Sequence, residues 1–228
     1  MERQTPLNPA RRWPGPLRAL ALTVLVGALA GCASAPSQSL RLDEIAAAED
    51  AATPRQGPSD LQRAVRVVRQ GRPIAVGAPM ALEPGDEVDV GAGTVARIVF
   101  PGGHEVTLLP GTRIRLGSII QYIGELIVKA KGYFRVETEY WEAGVEGTEF
   151  KVQLTPDKAG TVSVVEGSIR LRSRAGHWPE TGVGAGEQAT LHGAAPPTKA
   201  LMTKAQITAI KNQVRPTFRP PALRRMPQ

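Results

Sequence analysis

The sequence predicts an all-β protein of short strands, solenoid-like or sandwich-like, and three observations carry that expectation. From about residue 63 to residue 193, apolar and polar residues alternate in short runs, the period of a strand with one buried face. Glycine and proline number 24 and 20 in 228 residues, so helices of ordinary length have little uninterrupted room. Turn strings then divide the alternating runs every ten to twenty residues, as in an all-β domain.

The strands follow in order. VARIVF sets Ala96, Ile98 and Phe100 against Val95, Arg97 and Val99; HEVTLL pairs Val106 with Leu108; RIRLGS places Ile114 and Leu116 between arginines. YFRVETEY aligns Phe134, Val136, Thr138 and Tyr140, FKVQL aligns Phe150, Val152 and Leu154, and TVSVV and SIRLRSR continue with Val162, Val164, Ile169 and Leu171. Between them stand EPGD, GAG, FPGG, LPGT, KG, PDKAG, RAG and GAGE, all rich in the residues that favour turns. Val-Glu-Gly-Thr at 145–148 returns as Val-Glu-Gly-Ser at 165–168, a faint repeat of about one solenoid coil.

Ahead of this domain lies a leader. Arg3, Arg11, Arg12 and Arg18 precede an apolar stretch from Ala19 to Gly31, too short to span a bilayer as a helix but of the length of an export signal. The stretch ends Leu29-Ala30-Gly31-Cys32, which resembles the lipobox of bacterial lipoproteins. That resemblance implies a signal peptide over 1–31, a diacylglyceryl lipid on Cys32, and membrane attachment through it. Ala33 stands where inner-membrane lipoproteins often carry Asp, which points to the periplasmic side of the outer membrane. Cys32 is the single cysteine, so the mature chain has no internal disulfide and no other thiol. Residues 32–60 are rich in Ala, Ser and Pro and read as a disordered tether, with one helical turn around Glu44 to Glu49.

After Gly193 the alternation stops. Thr203 to Val214 reads as a short helix with Ala205, Ile207, Ile210 and Val214 on one stripe, and RPTFRPPALRRMPQ as an extended basic tail, so 194–228 forms a helix-plus-tail segment after a β domain at 61–193. The net charge of +7 is concentrated in leader and tail: seven basic residues and no acid lie from Lys199 onward. A basic balance placed this way argues against a nucleic-acid partner.

The stretch GVEGTEF at 144–150 carries two carboxylates three residues apart. Paired acids can do acid and base work, but only in a cleft at a fixed separation. Phe150 and Val152 set one inward phase and Val145 the other, so the phase slips near Gly147, as at a bulge or corner. In this order, AVRVVRQGRPI, GDEVDVGAGTVARIVFPGGHEVTLLPGTRIRL, GVEGTEFKV, VSVVEGSIRL and GVGAGEQATL together resemble the FecR domain family over about Ala64 to Gly193. The resemblance implies an extracytoplasmic, solenoid-like all-β domain, best known from iron-responsive envelope signalling. Its signature falls on Gly144, Gly147, Thr148, Phe150 and Gly167, read as determinants of shape. No sigma-binding region precedes the domain, so signal transfer to a sigma factor within this chain is not expected.

Other chemistry finds little support. Asp86, Glu87 and Asp89 lack the order and distal Glu of an EF-hand loop; His104, His177 and His192 have no metal-ligand spacing; no serine sits in a nucleophile elbow. No metal and no cofactor beyond the lipid is expected. Tyr133 and Trp141 remain as candidate exposed contacts in the one aromatic concentration of the chain. The expectation is a non-enzymatic, lipid-anchored envelope protein binding another protein or peptidoglycan. A signalling accessory is the alternative, and a cell-wall enzyme using Glu146 and Glu149 is a third reading.

Overall fold

A computed structural model describes residues 39–48 and 57–214. Among these, seventeen strands run in chain order as β1 (Arg41–Ala47), β2 (Val65–Arg69), β3 (Arg72–Ile74), β4 (Met80–Ala81), β5 (Glu87–Val90), β6 (Thr94–Val99), β7 (Glu105–Leu108), β8 (Arg113–Arg115), β9 (Ile119–Lys129), β10 (Tyr133–Glu137), β11 (Trp141–Glu146), β12 (Glu149–Leu154), β13 (Ala159–Glu166), β14 (Ser168–Ser173), β15 (Thr181–Gly184), β16 (Glu187–His192) and β17 (Thr198–Leu201). Two α-helices accompany them, α1 (Pro58–Arg63) and α2 (Lys204–Val214), with one short 3-10 turn at Pro101–Gly103. The leader, Cys32 and the basic tail lie outside the described residues.

Strand pairing makes two sheets. Sheet I runs β4-β1-β6-β7-β9-β12-β13-β16-β17, and sheet II runs β3-β2-β5-β8-β9-β10-β11-β14-β15. Every pairing is antiparallel except β9 with β10. The long strand β9 belongs to both sheets: Ile119–Ile123 pairs in sheet II and Gly124–Lys129 in sheet I. One core lies between the sheets, built of inward residues from both, among them Leu42, Val67, Ile98, Leu108, Ile114, Leu126, Val136, Trp141, Phe150, Val162 and Leu171. This is the sandwich-like member of the expected pair of architectures.

Glycine corners carry the chain from one sheet to the other. Inward positions are Ile119 and Gln121 before Gly124, but Leu126 and Val128 after it; Val145 before Gly147, but Thr148 and Phe150 after it; Val162 and Val164 before Gly167, but Ile169 and Leu171 after it. Each one-residue slip keeps the same side facing the core while the strand changes sheets, and Gly124, Gly147 and Gly167 have φ of 94°, 61° and 82°, the left-handed region that glycine enters at little cost.

A threonine clips each pair of neighbouring corners. The Thr112 hydroxyl donates to the Glu125 carbonyl at 2.7 Å and accepts the Glu125 N–H at 2.9 Å, beside Gly124. At the opposite end of the sandwich, the Thr148 hydroxyl lies 2.8 Å from the Ser168 carbonyl and 3.0 Å from that of Glu146, beside Gly167. Thus VEGT and VEGS are two touching corners rather than stacked coils. LPGTRIRL holds the same Gly-Thr corner as GVEGTEFKV.

Three expectations about where strands begin and end need correction. Arg41–Ala47 is a strand of sheet I, not tether or helical turn: Leu42 is fully buried, and a bulge at Asp43 turns that carboxylate to Arg41 and Arg97. Pairing also continues past Gly193, because β17 adds to β16. Finally, YFRVETEY is not one strand. β10 ends at Glu137 and a turn held by Thr138 follows, its hydroxyl accepting the Trp141 N–H at 3.1 Å and donating to the Trp141 carbonyl at 3.0 Å.

The predicted C-terminal helix is present from Lys204. Thr203 and Gln206 form a reciprocal cap, the Thr203 N–H bonding the Gln206 side chain at 2.7 Å and its hydroxyl accepting the Gln206 N–H at 3.3 Å. Ile207 and Ile210 pack onto Val95, Leu109, Ile127 and Val165, so α2 covers the outer face of sheet I. This explains why Val95, expected on a wet face, is buried.

Candidate functional site

The acidic residues of the first strands are spent on structure. Asp86 is 1% exposed and takes a two-pronged bond from Arg69, Nε at 2.9 Å and Nη2 at 2.8 Å, plus the Glu83 N–H at 2.9 Å. Burial pushes its pKa up, but the Arg69 and Glu83 bonds outweigh that and hold it below the ordinary carboxylate value. Asp89 faces outward and pairs with Arg113. Among the described residues, no group of three or more metal-type side chains converges.

His104 packs on the Phe134 ring at 5.0 Å, and its Nδ1 accepts the Lys131 N–H at 3.2 Å. Burial, helped by the Lys131 charge, pushes its pKa down. The unfolded chain therefore takes up this proton first. The stabilising contribution of neutral His104 is complete above about pH 6.5 and declines as pH falls below it toward the folded value. Urea midpoints measured from pH 7.5 to 5 should fall in the native chain, and His104→Gln should flatten that part of the profile.

The corner at Gly147 decides how Glu146 and Glu149 are used. Glu146 ends β11 on the outer face of sheet II, whereas Glu149 opens β12 in sheet I, in a row with Glu105, Lys129 and Glu166. The two carboxylates line different depressions on different sheets, so they share no cleft. An acid and base pair made from these residues has no common substrate position.

Trp141 and Tyr133 also separate. Trp141 is 1% exposed and lies across the core from Gly160, where an added Cβ would stand 2.9 Å from the indole. It is a core residue, contrary to the expectation of an exposed contact. The sequence places it outward only if YFRVETEY is one strand; the Thr138 turn resets the phase. Tyr133 is 66% exposed at the start of β10.

Tyr133 borders a depression of about 350 Å³ on the outer face of sheet II, with Glu142, Gly144, Glu146, Ser168, Arg170 and Arg172. The register explains this grouping. Arg135, Gly144, Arg170 and Gly182 are successive cross-strand neighbours on β10, β11, β14 and β15, with Tyr133 and Glu146 paired on one side of that row and Glu142 and Arg172 on the other. Sheet I offers a larger groove of about 720 Å³ beside α2, lined by Val95, Leu109, Leu154, Ala209 and the Glu125 carboxylate, which Lys151 neutralises.

The signature glycines are not equivalent. A Cβ at Gly167 would meet the Thr148 hydroxyl at 2.8 Å and the Gly147 carbonyl at 2.9 Å, so packing demands glycine there. Gly147 is open but left-handed. Gly144 is neither: it has no positive φ, and a Cβ would meet nothing nearer than the Arg170 carbonyl at 3.9 Å. Its shape role, expected from the signature, is not visible in the fold. Most constrained of all is Gly124, absent from that signature, where a Cβ would lie 2.4 Å from the Thr112 Cα. The shared Gly-Thr of LPGT and VEGT is the sequence signal that could have found it.

A two-sheet β domain turned at Gly-Thr corners, with one outer face covered by a helix and the other uncovered among the described residues, is thus the class defined by the geometry. Residues 86–170, from buried Asp86 into β14 and including both corners, match the family model described as FecR protein. The match is narrower than the resemblance of 64–193. Two crystal structures of a candidate anti-sigma factor from Parabacteroides distasonis ATCC 8503 are similar at 21% identity and a TM-score of 0.48, over 54% of this chain and 63% and 62% of that one. The chain thus spans less than two thirds of that protein's crystallised length. No curated protein matches the sequence. No helix among the described residues is long and apolar enough to cross a membrane.

Proposed function

We propose that the protein is a lipid-anchored, non-enzymatic binding module of the bacterial envelope, held at Cys32 with its FecR domain on the periplasmic side. The observation that carries this reading is the asymmetry of the two outer faces. Among the described residues, sheet I is roofed by α2, while sheet II presents a polar face with an exposed tyrosine and a shallow depression. Such a face suits a partner of protein or cell-wall polymer, and the separated acids supply no acid–base pair. Crosslinking in intact cells should recover an envelope component attached to the protein, and Cys32→Ser should release the protein from the membrane fraction. Recovery of no such component, or retention at the membrane after Cys32→Ser, contradicts the reading.

The FecR match over residues 86–170 favours a second reading, an accessory of iron-responsive envelope signalling. Under it, deletion alters expression of siderophore receptors; unchanged expression removes it.

A further inference from the structure

We propose that the depression on sheet II is a binding site for an uncharged pyranose polymer, with Tyr133 as its stacking ring and Gly144 as its floor; this deepens the envelope-binding reading and rests on it.

The glycines provide the first argument. A glycine inside a strand weakens it and often marks a place where a ligand approaches the backbone. Gly144 and Gly182 alternate with Arg135 and Arg170 in a single cross-strand row. Neither has a positive φ, and a Cβ on Gly182 would meet nothing within 4 Å. Nothing among the described residues requires glycine at either position, and the missing side chain of Gly144, the one of the two that lines the depression, deepens its floor.

The lining provides the second. Tyr133 is one of three large apolar residues left exposed among the described residues, and a tyrosine ring offers a rigid apolar face for the C–H surface of a sugar. Around it stand unspent polar groups. Among the described residues, Glu146 has no ion pair, the Ser168 hydroxyl has no partner, and Arg170, with a side chain 74% exposed, reaches only Glu180 at 3.7 Å. Carboxylates and guanidiniums, each able to bond two adjacent hydroxyls, are the donors and acceptors that a polyhydroxylated ligand uses.

Charge and topology select among ligands. Arg170 and Arg172 are cancelled by Glu142 and Glu146 in the same lining, so an anionic polymer gains no net attraction. A peptide cannot join by strand addition, because β11 is already paired on both edges, with β10 and β14. A neutral ligand that uses both signs of charge is left. The volume of about 350 Å³ lies at the small end of ligand clefts, consistent with contact to a short stretch of a longer chain.

The test uses the full chain in detergent with soluble N-acetylglucosamine oligomers, purified sacculi and a poly-glutamate peptide as probes. The native protein should bind the oligomers and pellet with sacculi. Gly144→Val, which fills the floor with a good strand former at an unstrained position, should weaken both by at least about tenfold, a loss of about 1.4 kcal/mol, with no fall in melting temperature. Tyr133→Ala should do the same. Oligomer binding that Gly144→Val leaves intact, no oligomer binding by the native chain, or preference for poly-glutamate overturns the proposal. Retention by sacculi that neither substitution changes overturns the site alone and leaves the envelope-binding reading standing; failure to retain any envelope fraction removes that reading as well.

Discussion

Gly124→Ala is expected to destabilise the domain by about 3–5 kcal/mol, a large share of the ~5–15 kcal/mol that holds a domain folded. Two costs combine. A φ of 94° is strained for any residue with a Cβ, at about 1–3 kcal/mol, and the new methyl would lie 2.4 Å from the Thr112 Cα, 2.6 Å from its hydroxyl and 2.8 Å from the Gly111 carbonyl. These are backbone atoms or a hydroxyl already engaged with Glu125, so neither strand can give way without parting the two sheets. Gly167→Ala should cost somewhat less, since its nearest atom is the Thr148 hydroxyl. Gly147→Ala, with open space around it, should cost only the backbone conformation, about 1–2 kcal/mol. Chemical denaturation of the three variants should rank them in that order; equal losses at 124 and 147 would show that the corners do not depend on close approach.

Trp141→Ala should be comparably damaging, at about 3–5 kcal/mol. The indole is 1% exposed, fills the space under Gly160 and begins β11 just after the Thr138 turn. Tyr133→Ala, by contrast, should leave the melting temperature nearly unchanged, because the ring is on the surface. Thermal melts of the two single variants thus separate the aromatic pair into a core residue and a surface residue. Similar melts would return Trp141 to the surface.

Where alternation was clean, the strand could be read from the sequence: VARIVF, HEVTLL, FKVQL and SIRLRSR each lie within or around a strand of the fold. The slip at Gly147 was legible too, because Val145 and Phe150 cannot share a phase along one flat strand. What stayed hidden shares a physical cause. IIQYIGELIVK is a single strand whose inward set changes from odd to even positions at Gly124, so no period of two runs through it. LRLDEI hides its alternation behind the bulge at Asp43. In β17 all four residues are exposed at the sheet edge, so pairing there rests on backbone bonds that leave no apolar pattern.

The candidate site was only half legible. Tyr133 stood out because aromatic residues are few, but Gly144 and Gly182 look like any other glycine until the register sets them in one row with Arg135 and Arg170. Cross-strand neighbours of this kind are set by the hairpins and corners between them, not by distance along the chain. Glu146 and Glu149 illustrate the converse: three residues apart in sequence, they are divided by a corner.

Photo-crosslinking residues placed one at a time at Ser168, on the open face of sheet II, and at Asn212, on the helix over sheet I, would test directly which surface does the work. In intact cells the account predicts adducts to an envelope component from position 168 and none from 212. Adducts from 212 alone would contradict it.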